Sequence, residues 1–300
     1  MAQPAVTSPS YDFRSRLLID RYSSVLTRLP LRRQASLADP SHSDAEIWNV
    51  FRTLAQVNPA RWVPDLMRLG RIRSVPAPGD LAGGVALTLW KRVKPPAERL
   101  QWLQRQALRG QVTPTVGRKR KGRVVPLSDL RAELKERARH GLPLEEPVEV
   151  DVIVKCPLSV LFVEIPSPSE SPDQPAESDS SRTYLLRLVD AGLAYAEARA
   201  RSQDPMGFSL LILTGDAAVE ENWRRTLRAL TRSESRLRKS LPHREGFEPT
   251  VLVGNLGVAG WSALQTLLAR LLRESHDELE ATLLDRLIRR APSPASPSAR

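Results

Sequence analysis

Apolar residues return at helical spacing over 11–29, where Phe13, Leu17, Leu18, Tyr22, Val25, Leu26 and Leu29 share a stripe and Arg14, Arg16 and Arg21 lie off it. A polar break with Pro30, Pro40 and Ser41 follows. Ser43 opens a second helix, with Ile47, Val50, Phe51 and Leu54 at i, i+3, i+4 and i+7 spacing. Pro59 and Pro64 interrupt the pattern, and Trp62, Leu66 and Met67 mark a further short helical turn. Residues 74–95 are rich in Pro and Gly around one candidate strand, Val85 to Trp90. A helix over 96–109 opens on Pro96, which a first turn tolerates. Another covers about 127–140, with Ser128 as N-cap and Gly141 as stop.

At Val148 the period changes to two. Val148, Val150, Val152 and Val154 face one way, and Glu149, Asp151, Ile153 and Lys155 the other. Pro157-Leu158-Ser159 is a turn and Val160 to Ile165 a second strand, so the pair reads as a β-hairpin. Residues 166–181 are acidic and of low complexity, which predicts a flexible loop. The pattern then gives a helix over 182–202, a strand from Phe208 to Thr214 and a helix over 217–230. A basic polar segment leads to a strand over Thr250–Val253, and Gly254-Asn255-Leu256-Gly257 separates it from a helix over 261–272. A last helix covers 276–289, and residues 291–300 form a disordered tail. The expected architecture is α/β: a central mixed sheet flanked by helices. It has an N-terminal helical segment (1–42), a main domain (43–290) and a helical, basic insertion over about 57–147.

The 300 residues are 41% hydrophobic and 26% charged, an ordinary globular balance. Lys and Arg outnumber Asp and Glu by 45 to 34, a formal charge of +11. Such a surplus suits a polyanionic partner, and arginines on solvated helix faces account for it equally well. Cys156 is the single cysteine, so neither a disulfide framework nor a Cys-based zinc site is expected. Residues 1–10 lack the pattern of a secretory signal and no apolar run reaches membrane-spanning length, so a cytoplasmic location is expected.

Three carboxylates stand out: Glu46 on the second helix, Asp151 on the first hairpin strand and Glu164 on the second. Acids on adjacent strands can converge on one divalent cation, and hard oxygen ligands suit Mg2+. Each also has a plainer explanation. Glu46 completes a capping box with Ser43, Asp151 could face solvent at an edge, and Glu164 interrupts an apolar strand where burial demands a partner. Arg118, Lys119, Arg120, Lys121 and Arg123 form a basic cluster that could hold phosphate or simply be solvated. His42, His140, His243 and His276 show no metal spacing. Trp48, Trp90, Trp223 and Trp261 sit among apolar neighbours and are read as core.

Residues 43–54, Ser-Asp-Ala-Glu-Ile-Trp-Asn-Val-Phe-Arg-Thr-Leu, resemble the leading helix of the PD-(D/E)XK nucleases. Val150-Asp-Val-Ile-Val154 and Leu161-Phe-Val-Glu-Ile165 resemble that family's two catalytic strands, and 182–214 its next helix and strand. The resemblance implies a restriction-endonuclease-like fold with Asp151 and Glu164 as Mg2+ ligands and Glu46 assisting. It also implies phosphodiester hydrolysis on nucleic acid, DNA above RNA. The family places Lys two residues after the Glu, and this chain has Pro166 there, which carries neither charge nor N–H. Lys155 is about 13 Å along the strand from Asp151, and Arg182 follows the acidic loop. The alternative is a catalytically inactive nuclease-fold protein that binds nucleic acid or serves as an assembly module, with a protein partner or a second copy of itself.

Overall fold

The computed structural model describes residues 12–115, 119–120, 123–167, 169–176, 179–180, 182–200 and 206–290. The tail over 291–300 and cluster residues Arg118 and Lys121 lie outside them, as do the side chains of Lys119, Arg120 and Arg123. Among the described residues no helix is long and apolar enough to cross a membrane.

The stripe over 11–29 does not form one helix. A 3-10 turn at Phe13–Arg16 is followed by α1 (Ser24–Thr27), because Asp20 adopts φ 55° and breaks the run. Its apolar residues are still used: Leu17, Leu26 and Leu37 are buried with Trp48 and Trp90. The polar break contains a helix of its own, α2 (Leu31–Ala38). Next come α3 (Asp44–Leu54) and α4 (Pro59–Leu69). Pro59 sits at the start of α4 behind the Asn58 cap, where its missing N–H costs nothing, and Pro64 is tolerated inside the helix and buried. The capping box at Ser43 is absent, since the Ser43 side chain makes no cap bond.

Strand β1 (Ala86–Val93) leads to α5 (Ala97–Leu108), then to the small hairpin β2 (Lys119–Arg120) and β3 (Arg123–Val124), and to α6 (Leu127–Arg139). The expected hairpin follows as β4 (Val148–Lys155) and β5 (Ser159–Glu164). The rest alternates: α7 (Tyr184–Glu197), β6 (Gly207–Thr214), α8 (Ala217–Thr231), α9 (Glu234–Ser240), β7 (Leu256–Gly260), α10 (Trp261–Arg273) and α11 (Glu278–Arg290). The five long strands form one open mixed sheet in the order β1-β4-β5-β6-β7. β1, β4 and β5 are antiparallel, and β6 and β7 continue parallel to β5. The expected α/β architecture is therefore present. One face of the sheet packs on α3, α4, α10 and α11, and the other on α7, α8 and α9.

Residues 57–147 are part of this core as well as an excursion from it. α4 packs in the larger apolar cluster and β1 is the sheet's outer strand, whereas α5 and α6 form a satellite around Leu103, Leu134 and Leu144. The strand expected over Thr250–Val253 is a 3-10 turn, and the glycine-bearing stretch after it is the strand. The reason is close packing: a Cβ on Gly257 would lie 2.3 Å from the Gly70 carbonyl oxygen at the end of α4. Glycine here marks a backbone approach that resembles a loop when read from sequence.

A second departure bears directly on the site. Val148 and Val150 pack on the α7–α8 side, but Val152 and Val154 pack on the α3–α4 side, so the four valines do not share a face. The change occurs at Asp151, opposite Trp90 on β1. Trp90 adopts φ 50°, rare for a bulky residue, and is skipped in the β1–β4 pairing.

Candidate functional site

The β4–β5 register pairs Val152 with Val163, which sets Asp151 directly across from Glu164. Like charges in that position repel, and burial aggravates the cost. Glu164 is 4% exposed, and Asp151 keeps part of its surface accessible although its carboxyl sits deep among protein atoms. Three donors meet the pair. The Ile165 N–H donates to Asp151 Oδ2 at 2.8 Å, the Asp151 N–H to Glu164 Oε2 at 3.4 Å, and the Tyr184 hydroxyl to Glu164 Oε1. These do not offset the desolvation. Burial pushes the Asp151 carboxyl up to about 7, against the Ile165 bond and the Arg33 charge, and Asp44 and Glu170 push the same way. Burial, then the Asp151 charge, raises Glu164 well above the ordinary range. Tyr184 is raised by burial and by the same carboxylate.

The cation nearest in effect to Asp151 comes from the N-terminal segment. Arg33 on α2 holds both Asp44 oxygens at 2.6 Å, pairs with Glu149 and lies over the Trp90 ring at 5.0 Å. Trp90 in turn stacks on Trp48 at 5.9 Å. The strained Trp90 backbone thus lies beneath the guanidinium, beside the point where β4 changes face.

Glu46 is not brought to the pair. It faces Arg16, with Oε1 3.1 Å from the guanidinium, and Asp44 two residues earlier is the α3 acid whose charge reaches Asp151. Among the described residues no group of three or more His, Cys, Asp or Glu is arranged to hold a metal ion. Two opposed carboxylates do fit a hard cation that keeps most of its water, as Mg2+ does. They do not fit a closed cage of protein ligands.

Neither expected substitute for the missing lysine is present at the pair. Arg182 is buried and committed to Asp190 and to Glu145 at 3.4 Å. Lys155 lies at the far end of β4, where burial and then the Arg199 charge lower its pKa. Pro166 is buried beside the pair.

The described part of the loop over 166–181 is tied down. The Tyr184 N–H donates to the Gln174 carbonyl at 2.8 Å, Leu185 N–H to Pro172 at 3.1 Å and Ala176 N–H to Arg182 at 2.7 Å. Glu170 accepts the Ser167 N–H at 2.7 Å, in a turn that keeps its charge near the pair. Arg33, Asp44, Glu170 and Tyr184 were therefore missed as site residues. Tyr184 carried a faint signal, being the first residue of a helix that follows the second acid strand. Glu170 was hidden in a low-complexity stretch and Arg33 in an unrecognised helix.

A second charged cluster is centred on the middle of α7. Asp190, fully buried, accepts from His243 Nε2 at 2.9 Å and pairs with Arg182 and Arg244. Glu145 extends the network to Arg99 at 2.9 Å, and Arg99 reaches Asp179 at 2.9 Å. Burial opposes the Asp190 charge, but the His243 bond and the two guanidiniums outweigh it and hold the carboxyl below its usual range.

Comparison with family models, with characterised proteins and with solved structures gave no match.

Proposed function

We propose that the chain is a nucleic-acid-binding protein of the PD-(D/E)XK nuclease kind, with Asp151 and Glu164 as the carboxylates of a Mg2+-assisted phosphodiesterase site acting on DNA. The observation that carries the reading is the pair itself: two acids directly opposed on adjacent strands, both raised, with no guanidinium or ammonium ion-paired to either among the described residues. The order of elements supports it, since α3, the β4–β5 hairpin, α7 and β6 follow one another as the resemblance implies.

A cation bound there would polarise a phosphoryl oxygen and lower the pKa of a bound water. The protein's share is positional. The Ile165 N–H fixes one Asp151 oxygen and the Tyr184 hydroxyl one Glu164 oxygen, which limits how the remaining oxygens can turn. The Trp90 distortion lifts the edge-strand pairing beside Asp151.

Pro166 favours a second reading, a nuclease-fold protein that binds without cutting, because among the described residues no Lys or Arg is ion-paired to Glu164 in the role the family gives its lysine. One experiment separates the two. Plasmid and linear DNA are incubated with Mg2+ or Mn2+ and wild type, Asp151→Ala or Glu164→Ala. The phosphodiesterase reading expects metal-dependent cleavage that both substitutions reduce by at least about 100-fold, the scale of losing a positioned charge. No cleavage, or cleavage indifferent to both substitutions, overturns it, and in the first case leaves the non-cutting reading.

A further inference from the structure

We infer that the outer face of α8 and α9 is the surface on which the protein takes the phosphodiester backbone of DNA. Over 224–239 the chain carries seven cations, Arg224, Arg225, Arg228, Arg232, Arg236, Arg238 and Lys239, against one acid, Glu234. Other exposed helices of this protein mix their signs along their length, as the first turns of α8 do with Glu220 and Glu221. α6 sets Asp129, Glu133 and Glu136 among its four cations, and α11 sets Glu278, Glu280 and Asp285 among three. In those helices opposite charges pair, as Glu136 does with Arg139 and Asp285 with Arg289.

On α8 and α9 pairing is confined to the margins, where Arg224 meets Glu220 and Arg238 lies 3.7 Å from Glu248. Arg225, Arg228, Arg232, Arg236 and Lys239 are exposed, and among the described residues no carboxylate lies within ion-pair distance of any of them. Arg225, Arg228 and Arg232 fall at i, i+3 and i+7 on one side of α8, while Trp223, Leu227 and Leu230 bury the other. Like charges at this spacing repel; Arg225 donates to the Asn222 amide oxygen at 2.8 Å, and among the described residues none of the three has an ion pair. A regularly spaced anion would relieve them.

α8 touches the surroundings of the acid pair from its inner side and flank: Trp223, opposite these cations, meets Tyr184 edge-on at 6.2 Å, and Thr226 donates to Asp173 of the acidic loop at 3.3 Å. The surface shares its nucleic-acid partner with the phosphodiesterase reading and uses none of its residues.

The test is binding of the full chain to a labelled DNA duplex of about 30 base pairs, in EDTA, at about 50 and 200 mM salt. Three proteins are compared: wild type, the quadruple variant Arg225→Ala, Arg228→Ala, Arg232→Ala, Arg236→Ala, and a charge-matched control, Lys135→Ala, Arg139→Ala, Arg286→Ala, Arg289→Ala. Alanine suits exposed helix positions, so both variants should fold, which circular dichroism checks. The expected result is a loss of at least about tenfold in affinity at the lower salt for the first variant. Its salt slope should also fall by about one for each phosphate contact removed, with the control within about twofold of wild type. Equal losses in both variants would mean that net charge alone binds. That result, an unaffected first variant, or a wild type that binds polyglutamate and not DNA overturns the assignment. Retained binding with no cleavage would sink the phosphodiesterase and leave this surface standing.

Discussion

Two buried acidic centres meet α7, one at its first residue Tyr184 and one at Asp190 in its middle, and their carboxyls are shifted in opposite directions. Asp190 is surrounded by Arg182, Arg244 and His243 and stays ionised. Asp151 and Glu164 face each other and, among the described residues, have backbone N–H groups and a phenol as donors, and burial pushes both up. Both centres pay desolvation; among the described residues the first alone has cations ion-paired to it. A carboxylate whose charge is already met inside the fold is a structural part. A pair whose charge is unmet has capacity for a proton or for a cation from outside. This contrast, more than the spacing of the acids, separates a site from a scaffold here.

The largest effect that tests the contrast is at the scaffold. Asp190→Ala removes the carboxylate that Arg182, Arg244 and His243 share in the buried network, and unfolding in urea should show a loss of about 3–5 kcal/mol. Arg182→Ala should lose stability in the same range, because it leaves Glu145 and Asp190 short of a partner. Lys155→Ala should change stability by less than about 0.5 kcal/mol. If Arg182→Ala instead left stability intact and abolished DNA cleavage, Arg182 would belong to the site and the division between the centres would fail.

At the acid pair the sign reverses. The folded Asp151 carboxyl titrates near 7 and its unfolded counterpart near 4. Its stabilising contribution is full below the unfolded value and is lost as pH rises through the folded one. Asp151→Asn removes that loss, so without divalent cations the variant should be more stable than wild type at pH 8. The gain should grow as pH rises between the two values, read by urea unfolding at pH 5 and 8. Near pH 4 the difference should vanish. Asp190 predicts the mirror image, with stability present above the unfolded value and lost on acidification. Millimolar Mg2+ should raise wild-type stability at pH 8 and leave Asp151→Asn unchanged, read as a shift in thermal midpoint. A wild type indifferent to both pH and Mg2+ would mean that the pair neither titrates in this range nor takes a cation.

Much of this was legible in the sequence, and the failures share a cause. The β4–β5 hairpin, the two acids on it and the helix–strand alternation after it came from period and turn chemistry, which are local. The face change at Asp151 did not, because it depends on a distortion at Trp90, some 60 residues earlier in the chain. β7 was misplaced because Gly257 answers to Gly70 on another element. Glu46 was singled out by its place in the motif, whereas Asp44 depends on Arg33, on a helix that the sequence shows only as a polar break. Asp190 and His243 drew no notice as a pair, being 53 residues apart.

The smallest effect is also the finest probe of the pair. Tyr184→Phe removes one donor from Glu164 and little volume, so the cost should be about 1 kcal/mol, the ordinary net worth of such a bond. The phenol favours the ionised form of Glu164, and its loss should raise that carboxyl further. The cost should therefore be larger at pH 8 than at pH 5, measured by urea unfolding at each. A cost equal at both values would mean that the Tyr184 ring, packed on Trp223, matters only as apolar filling. In that case the hydroxyl does not help hold Glu164, and the pair is oriented by backbone N–H groups alone.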